Sequence, residues 1–225
     1  MKRSFPLILF LLVLAGSVSG QEIATAEQFF AKVSERYAEI FDYEAAIRIT
    51  STGQTMRGKL FFKSPSLLRI DFSQPAEQVI VFDGERLVVY IPQYRAVLQQ
   101  ETGAAGLGAA SVALASREGL SMMKRNYTIA WEKSPPQAEP LDEGSKEMVH
   151  RLILTRKTVS EGFKTVRISV SESSLLMLRL EGWTVANEKM SFDLSDMKLN
   201  QNIPATRFLY DAPASANVYN NFLFQ

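Results

Sequence analysis

The run Arg57-Gly58-Lys59-Leu60-Phe61-Phe62-Lys63-Ser64-Pro65-Ser66-Leu67-Leu68-Arg69-Ile70-Asp71-Phe72 continues through Pro75, Glu77 and Gln78 into Val79-Ile80-Val81-Phe82-Asp83-Gly84-Glu85-Arg86-Leu87-Val88-Val89-Tyr90-Ile91-Pro92. Successive side chains of a strand point to opposite faces, so a period of two marks a strand with one buried side. Leu60 and Phe62 alternate with Lys59, Phe61 and Lys63, and Leu68, Ile70 and Phe72 alternate with Arg69 and Asp71. Pro65, Pro75 and Pro92 punctuate the runs, and Asp83-Gly84 predicts a tight hairpin with positive φ at both residues. The same period begins upstream at Ala45, Ile47 and Ile49, with a turn at Gly53. Residues 42–100 therefore read as a meander of five or six antiparallel strands.

On the N-terminal side, Thr25-Ala26-Glu27-Gln28 is a capping box. Phe29, Phe30, Val33, Tyr37, Ile40 and Phe41 follow at helical spacing, which predicts one amphipathic helix. On the C-terminal side, Thr102–Gly108 (TGAAGLG) reads as a glycine-rich hinge, and Ala109–Met123 as a short apolar helix. Strands resume at Tyr127, Ile129 and Trp131, pause in the polar, proline-rich residues 134–147, and return four times. The markers of those four are Leu152 and Leu154, then Val166, Ile168 and Val170, then Leu176, Leu178 and Leu180, then Met190, Phe192 and Leu194. Val218–Phe224 forms a last apolar stretch. About 10–11 antiparallel strands with two or three helices make one α+β domain, most simply a curved sheet whose inner side needs covering.

Residues 1–20 have the layout of a signal peptide: Lys2 and Arg3, an apolar run from Phe5 to Ala15, then small residues with cleavage expected after Gly20. The apolar run is short for a span, which needs about 20 residues. The exported domain is then 21–225. Its removal of two basic residues changes the net charge from +1 to −1, too little in either form for an electrostatic nucleic-acid partner. There is no Cys and one His, which removes thiolate zinc, iron–sulfur clusters, multi-histidine metal sites and a cysteine nucleophile. His150 shares strand parity with Leu152 and lacks any G-x-S-x-G partner motif, so a catalytic role for it is not expected. Asp142 with Glu143, and Asp193 with Asp196, read as solvated surface. Gly103, Gly106 and Gly108 have the wrong spacing for a phosphate cradle. From alternation alone an ordinary filled core is the simpler reading and a hollow ligand cavity the other, and the pattern does not separate them, since both need the same inward residues.

The stretch from Arg57 to Pro92 resembles the LolA family, whose pattern G-x-L-x-F-K-x-P-x-x-L-R-x-x-F, then P-x-x-Q, then D-G-x-x-L-x-x-Y-x-P it follows over about 35 residues. The order of elements and the late Phe208, Pro213 and Val218 segment extend the likeness along the chain. The resemblance implies an incomplete (half) antiparallel β-barrel with helices covering the open concave side. It implies a non-enzymatic periplasmic carrier that needs no cofactor or metal, acts as a monomer and shuttles lipoproteins from inner to outer membrane. Acylated lipoproteins would be the cargo, an inner-membrane ABC-type lipoprotein-releasing complex the donor, and an outer-membrane lipoprotein receptor the acceptor. Leu60, Phe62, Leu68, Ile70 and Phe72 would line the cavity, and Leu114 would belong to its lid. Ser64 stands where many members carry an Arg that latches the lid, which puts that latch in doubt here. A lipid- or lipoprotein-sensing regulatory module of the cell envelope on the same half-barrel is the alternative.

Overall fold

The structure is a computed structural model and describes residues 24–101, 115–159 and 161–221. The first helix, α1 (Ala26–Ala38), starts where the capping box places it. The Thr25 hydroxyl accepts the Gln28 N–H at 3.1 Å, and the Gln28 side chain accepts the Thr25 N–H at 2.7 Å. Two orphan donors of the first turn are thereby satisfied. The apolar stripe of α1 buries Ala26, Phe30, Val33 and Tyr37.

The meander then runs β1 (Asp42–Ser51), β2 (Gln54–Lys63), β3 (Leu67–Gln74), β4 (Ala76–Phe82), β5 (Arg86–Ile91) and β6 (Ala96–Glu101). After α2 (Arg117–Asn126) come β7 (Tyr127–Trp131), β8 (Glu139–Pro140), β9 (Met148–Arg156), β10 (Phe163–Ser171), β11 (Met177–Thr184), β12 (Lys189–Leu199) and β13 (Asn217–Asn220). They form one open sheet in the order β13-β6-β5-β4-β3-β2-β1-β12-β11-β10-β9-β7, with β8 on β9. The α+β expectation holds, as a large antiparallel sheet with two helices among the described residues. The described residues form thirteen strands against the expected 10–11, the excess being the short β8 and β13. β13 departs from the antiparallel rule, because the segment after Phe208 crosses the outer face and reaches β6 in parallel.

Three local readings change. At the β4–β5 hairpin only Gly84 has positive φ, +101°. The Asp83 carboxylate instead accepts the N–H groups of Glu85 and Arg86 at 3.0 and 2.8 Å, and these side-chain bonds shape a longer loop. The middle helix ends at Asn126, three residues beyond the expected stop, and its described part begins after Ser116, whose hydroxyl accepts the Gly119 N–H. Residues 102–114, including the expected hinge, lie outside the described residues, as do the expected signal peptide and Phe222–Gln225.

One face of the sheet is apolar from edge to edge because register keeps like with like. Tyr43 pairs with Phe62, Phe62 with Leu68, Leu68 with Phe82, and Phe82 with Leu87. On the other side of β1, Ile49 pairs with Phe192, Phe192 with Leu180, Leu180 with Ile168, and Ile168 with Leu152. Both helices lie on this side, where Phe30, Val33 and Tyr37 of α1 and Leu120 and Met123 of α2 join one cluster with the strand residues. Gly58 lets β2 and β3 approach at an irregular step, since a Cβ there would stand 2.4 Å from the Asp71 carbonyl oxygen.

The opposite face is held by polar ties. Asp42 is 2% exposed, and its carboxylate accepts the N–H groups of Gln201 at 2.7 Å and Ile203 at 3.1 Å. Lys63 and Arg69 donate to carbonyl oxygens of Ile203, Arg207 and Leu209, while Arg207 pairs with Asp71. Ile203 and Phe208 cover Phe61 beneath this C-terminal strap.

Candidate functional site

Leu60 and Phe62 on β2 and Leu68, Ile70 and Phe72 on β3 come together on the concave face, buried to between 1% and 5% exposure. Leu114 lies outside the described residues. In this conformation the five belong to the packed cluster that α1 and α2 cover, and Phe62 meets the Tyr43 ring at 5.2 Å between centroids. Ser64 is exposed, and its backbone N–H donates to the Phe41 carbonyl at 2.8 Å, which fixes the end of β2 against the α1–β1 junction.

Among the described residues, an apolar space that opens to solvent lies elsewhere on the same face. A crevice of about 310 Å³ is walled by Met122 and Met123 of α2, Tyr127 of β7, Phe163 and Val166 of β10, Leu180 and Thr184 of β11, and Met190 of β12, with Glu161 and Gly162 at its rim. Met123, Tyr127, Val166 and Leu180 are also core residues, so the crevice is a continuation of the concave core. Gly182 shapes its floor, where an added Cβ would stand 2.6 Å from the Phe163 ring. That ring lies over the bare backbone, and the Tyr127 hydroxyl donates to the Phe163 carbonyl at 3.1 Å. None of these wall residues was singled out by the sequence pattern as a site. The available signals were three methionines, which adapt to irregular ligands, and a glycine inside a strand.

The polar groups of the described residues do not assemble an acid–base site. The convex cleft over β9–β11, about 660 Å³, is lined by Glu132, Glu139, Asp142, Arg151, Arg167, Arg179 and Glu181, and these are paired with one another or with their neighbours. Arg179 grips Asp142 with two hydrogen bonds of 2.8 and 3.0 Å and also holds Asp193. The Arg179 guanidinium holds the Asp142 carboxyl below its usual range. Burial pushes the Glu181 carboxyl up, and Lys189 and Arg167 outweigh it to leave the group lowered. Arg167 reaches Glu132 at 2.7 Å and Arg151 reaches Glu139 at 2.7 Å, which ties the loop after β7 to the outer wall. His150 Nε2 lies 3.6 Å from Glu172, with its ring against Phe29 and Trp131. Burial pushes the Tyr37 hydroxyl to about 12, although it accepts the Met177 N–H at 3.0 Å.

An open, mostly antiparallel sheet with an apolar inner face, two covering helices and an apolar crevice beneath the second of them is the architecture of a binding protein. Residues 48–211 match the family model for the outer membrane lipoprotein carrier protein LolA, and the chain belongs to that family, whose members are carriers and not enzymes. It is 26% identical over 165 residues to the outer-membrane lipoprotein carrier protein of Dechloromonas aromatica, covering 73% of this chain and 72% of that one. Its fold is similar to an uncharacterized conserved protein of Thermus thermophilus, with a TM-score of 0.56 at 12% identity over 87% of this chain and 98% of that one. A chain in the Pseudomonas aeruginosa MucA/MucB complex shares the fold with a TM-score of 0.50 at 12% identity, over 86% of this chain and 63% of that one.

Proposed function

We propose that this protein is a periplasmic carrier which takes the acyl chains of lipoproteins onto its concave face and moves them from the inner to the outer membrane. The observation that carries the reading is the open crevice, because its wall residues Met123, Tyr127, Val166 and Leu180 belong to the same apolar cluster as Leu60, Phe62, Leu68, Ile70 and Phe72. A first chain would enter beneath α2. Further chains would need α1 and α2 to part from the sheet and expose the residues on β2 and β3, with Leu114 moving as part of the lid.

The energetics favour a loose fit. Enclosing a methylene yields about 0.8 kcal/mol, so two or three whole chains would exceed the saturation of non-covalent affinity near 18 to 21 kcal/mol. Displacing helices that already cover the face offsets much of that gain. An energised inner-membrane ABC-type complex would supply cargo, and an outer-membrane receptor with a better-fitting cavity would remove it. Residues 1–20 would direct export and be cleaved after Gly20. The fold shared with the MucA/MucB chain keeps an envelope regulator as the alternative.

The test is displacement of a hydrophobic fluorescent probe from the exported protein by a synthetic triacylated lipopeptide, with the unacylated peptide as control. Displacement by the acylated form alone supports the carrier. No displacement, with co-purification of a transmembrane regulator, supports the alternative.

A further inference from the structure

The end of the sheet where the crevice opens carries a charge and apolar pattern that the binding of acyl chains does not require. The topology gathers three segments there. β10 pairs with β11 so that Phe163 faces Thr184, which sets the β9–β10 and β11–β12 turns side by side. β7 starts opposite the end of β9, with Tyr127 facing Arg156, which brings the last turn of α2 to the same place. Val159 in the first turn is 86% exposed and Val185 in the second is 66% exposed, and the strand ends next to these turns, at Phe163 and Thr184, line the crevice.

Basic side chains surround these tips. Lys124 and Arg125 lie in the last turn of α2, Arg156 ends β9 and Lys157 follows it, Lys164 is the second residue of β10 and Lys189 begins β12. Glu161, Glu188 and Glu181, the partner of Lys189, are the acidic residues against them, so this end carries a net +3 in a chain whose whole net charge is +1. The pairing of these cations also differs from that of the outer wall. Lys157 Nζ donates to the carbonyl oxygens of Lys124 and Arg125 at 3.2 and 3.1 Å. Arg156 donates to those of Val159 and Glu161, and Lys164 donates to the Asn187 amide oxygen. These contacts fix position without cancelling charge. Among the described residues and these six cations, Lys189 alone has a carboxylate ion-pair partner, Glu181.

We propose that this end of the molecule docks on the surface of an anionic lipid bilayer, with Val159 and Val185 entering the headgroup layer and the basic ring against lipid phosphates. Exposed apolar tips inside a ring of cations match such a surface in both chemistry and layering, the apolar atoms outermost and the charges one layer behind. Docking this way would turn the crevice mouth toward the acyl region. The proposal builds on the crevice as the acyl path and has a readout independent of it. A peripheral contact of this size is weak, with roughly fivefold in partition from each basic side chain near the surface.

The experiment is sedimentation of the exported protein, its N-terminus read by mass spectrometry, with large unilamellar vesicles of phosphatidylethanolamine and phosphatidylglycerol or of phosphatidylcholine alone. Partition onto the anionic vesicles should be at least tenfold higher in 0.1 M salt and should collapse in 0.5 M salt. Neutralising Lys124→Gln with Arg125→Gln should lower it about 25-fold, and Val159→Asp with Val185→Asp should lower it at least tenfold. Lys146→Glu, an exposed change at the opposite end, should have little effect. Thermal melts establish that each variant is folded. Equal partition on the two vesicles, or folded variants that partition as the parent does, overturns the proposal. So does failure on vesicles with capture of an acidic membrane protein through the same residues, which would make this a protein contact. Vesicle partition without lipopeptide displacement would retain the docking surface and discard the carrier. Displacement without partition would do the reverse.

Discussion

Met190→Glu tests the crevice as the acyl path through a charge that the empty protein can tolerate. Met190 is half-buried on β12, opposite Gly182 on β11, and forms part of the crevice wall. A carboxylate there remains hydrated while the crevice is empty, so the fold should stand. The cavity of about 310 Å³ holds roughly ten water-sized groups, and about ten methylenes at 0.8 kcal/mol each give at most about 8 kcal/mol of burial, from which the cost of ordering the chain is subtracted. A chain filling that space strips water from the carboxylate, whose least costly response is to take up a proton. Raising a glutamate from its ordinary pKa of about 4.3 to 7 costs about 4 kcal/mol, so lipopeptide affinity at pH 7 should fall by two to three orders of magnitude. At pH 5 the same protonation costs about 1 kcal/mol, so most of the affinity should return. Met190→Gln should show a smaller loss with little dependence on pH. The assay is probe displacement at both pH values, with a thermal melt to establish folding. Unchanged affinity of folded Met190→Glu at pH 7 would refute the crevice as the path, and a loss that persists at pH 5 would refute the charge argument.

Leu68→Ala should cost about 2–5 kcal/mol in a urea titration, because Leu68 is 1% exposed among Phe62 and Phe82; a loss well under 1 kcal/mol would show that β2 and β3 face empty space. Leu68→Glu should cost more, since a carboxylate there has no water to keep. Stability should fall as pH rises from 10 to 12: Tyr37 keeps its proton in the folded state up to about 12 while the unfolded chain gives it up near 10, worth roughly 3 kcal/mol from this residue. Tyr37→Phe should remove that part of the alkaline loss and, by stranding the buried Met177 N–H, lower stability at pH 7 by about 1–3 kcal/mol. Asp42→Ala should free the C-terminal strap, seen as faster proteolysis after Gln201 and a stability loss of about 1–3 kcal/mol or more.

Residues 57–92 were legible because alternation specifies which face a side chain occupies, and Leu60, Phe62, Leu68, Ile70 and Phe72 do share the buried face. The start of α1 was legible for a similar reason, since a capping box acts within four residues. The crevice was not, although Val166, Leu180 and Met190 carry the alternation of strands. Its existence depends on how closely α2 approaches β10–β12, a distance that no local pattern encodes. Gly182 with Phe163 is the nearest to a local sign, and it becomes informative only once β10 and β11 are known to pair. The parallel β13 was hidden likewise, because Asn217–Asn220 has a partner only after the preceding segment has crossed the outer face. At Asp83-Gly84 the pattern located the hairpin but not its loop, because side-chain acceptance by Asp83 competed with the shorter turn.

The two sides of the sheet are held by different forces, and the difference bears on release of cargo. On the convex side, carboxylates and guanidinium groups fix the strap and the loop after β7 by directed bonds, as in Asp42 with Gln201 and Ile203 or Arg179 with Asp142. On the concave side, Phe30 and Val33 of α1 and Leu120 and Met123 of α2 bind through apolar contact, with polar ties at discrete points such as Tyr37 to Met177 and the end of α2 to Lys157. Apolar contact is non-directional and roughly proportional to area. An acyl chain that replaces a helix face against Leu68 or Phe192 exchanges one apolar surface for another, so the net free energy is a small difference between two large burials. In the carrier proposed above, an outer wall held by directed bonds and an interchangeable inner lining would load and unload a cargo whose complete burial in an empty cavity would be too strong to reverse.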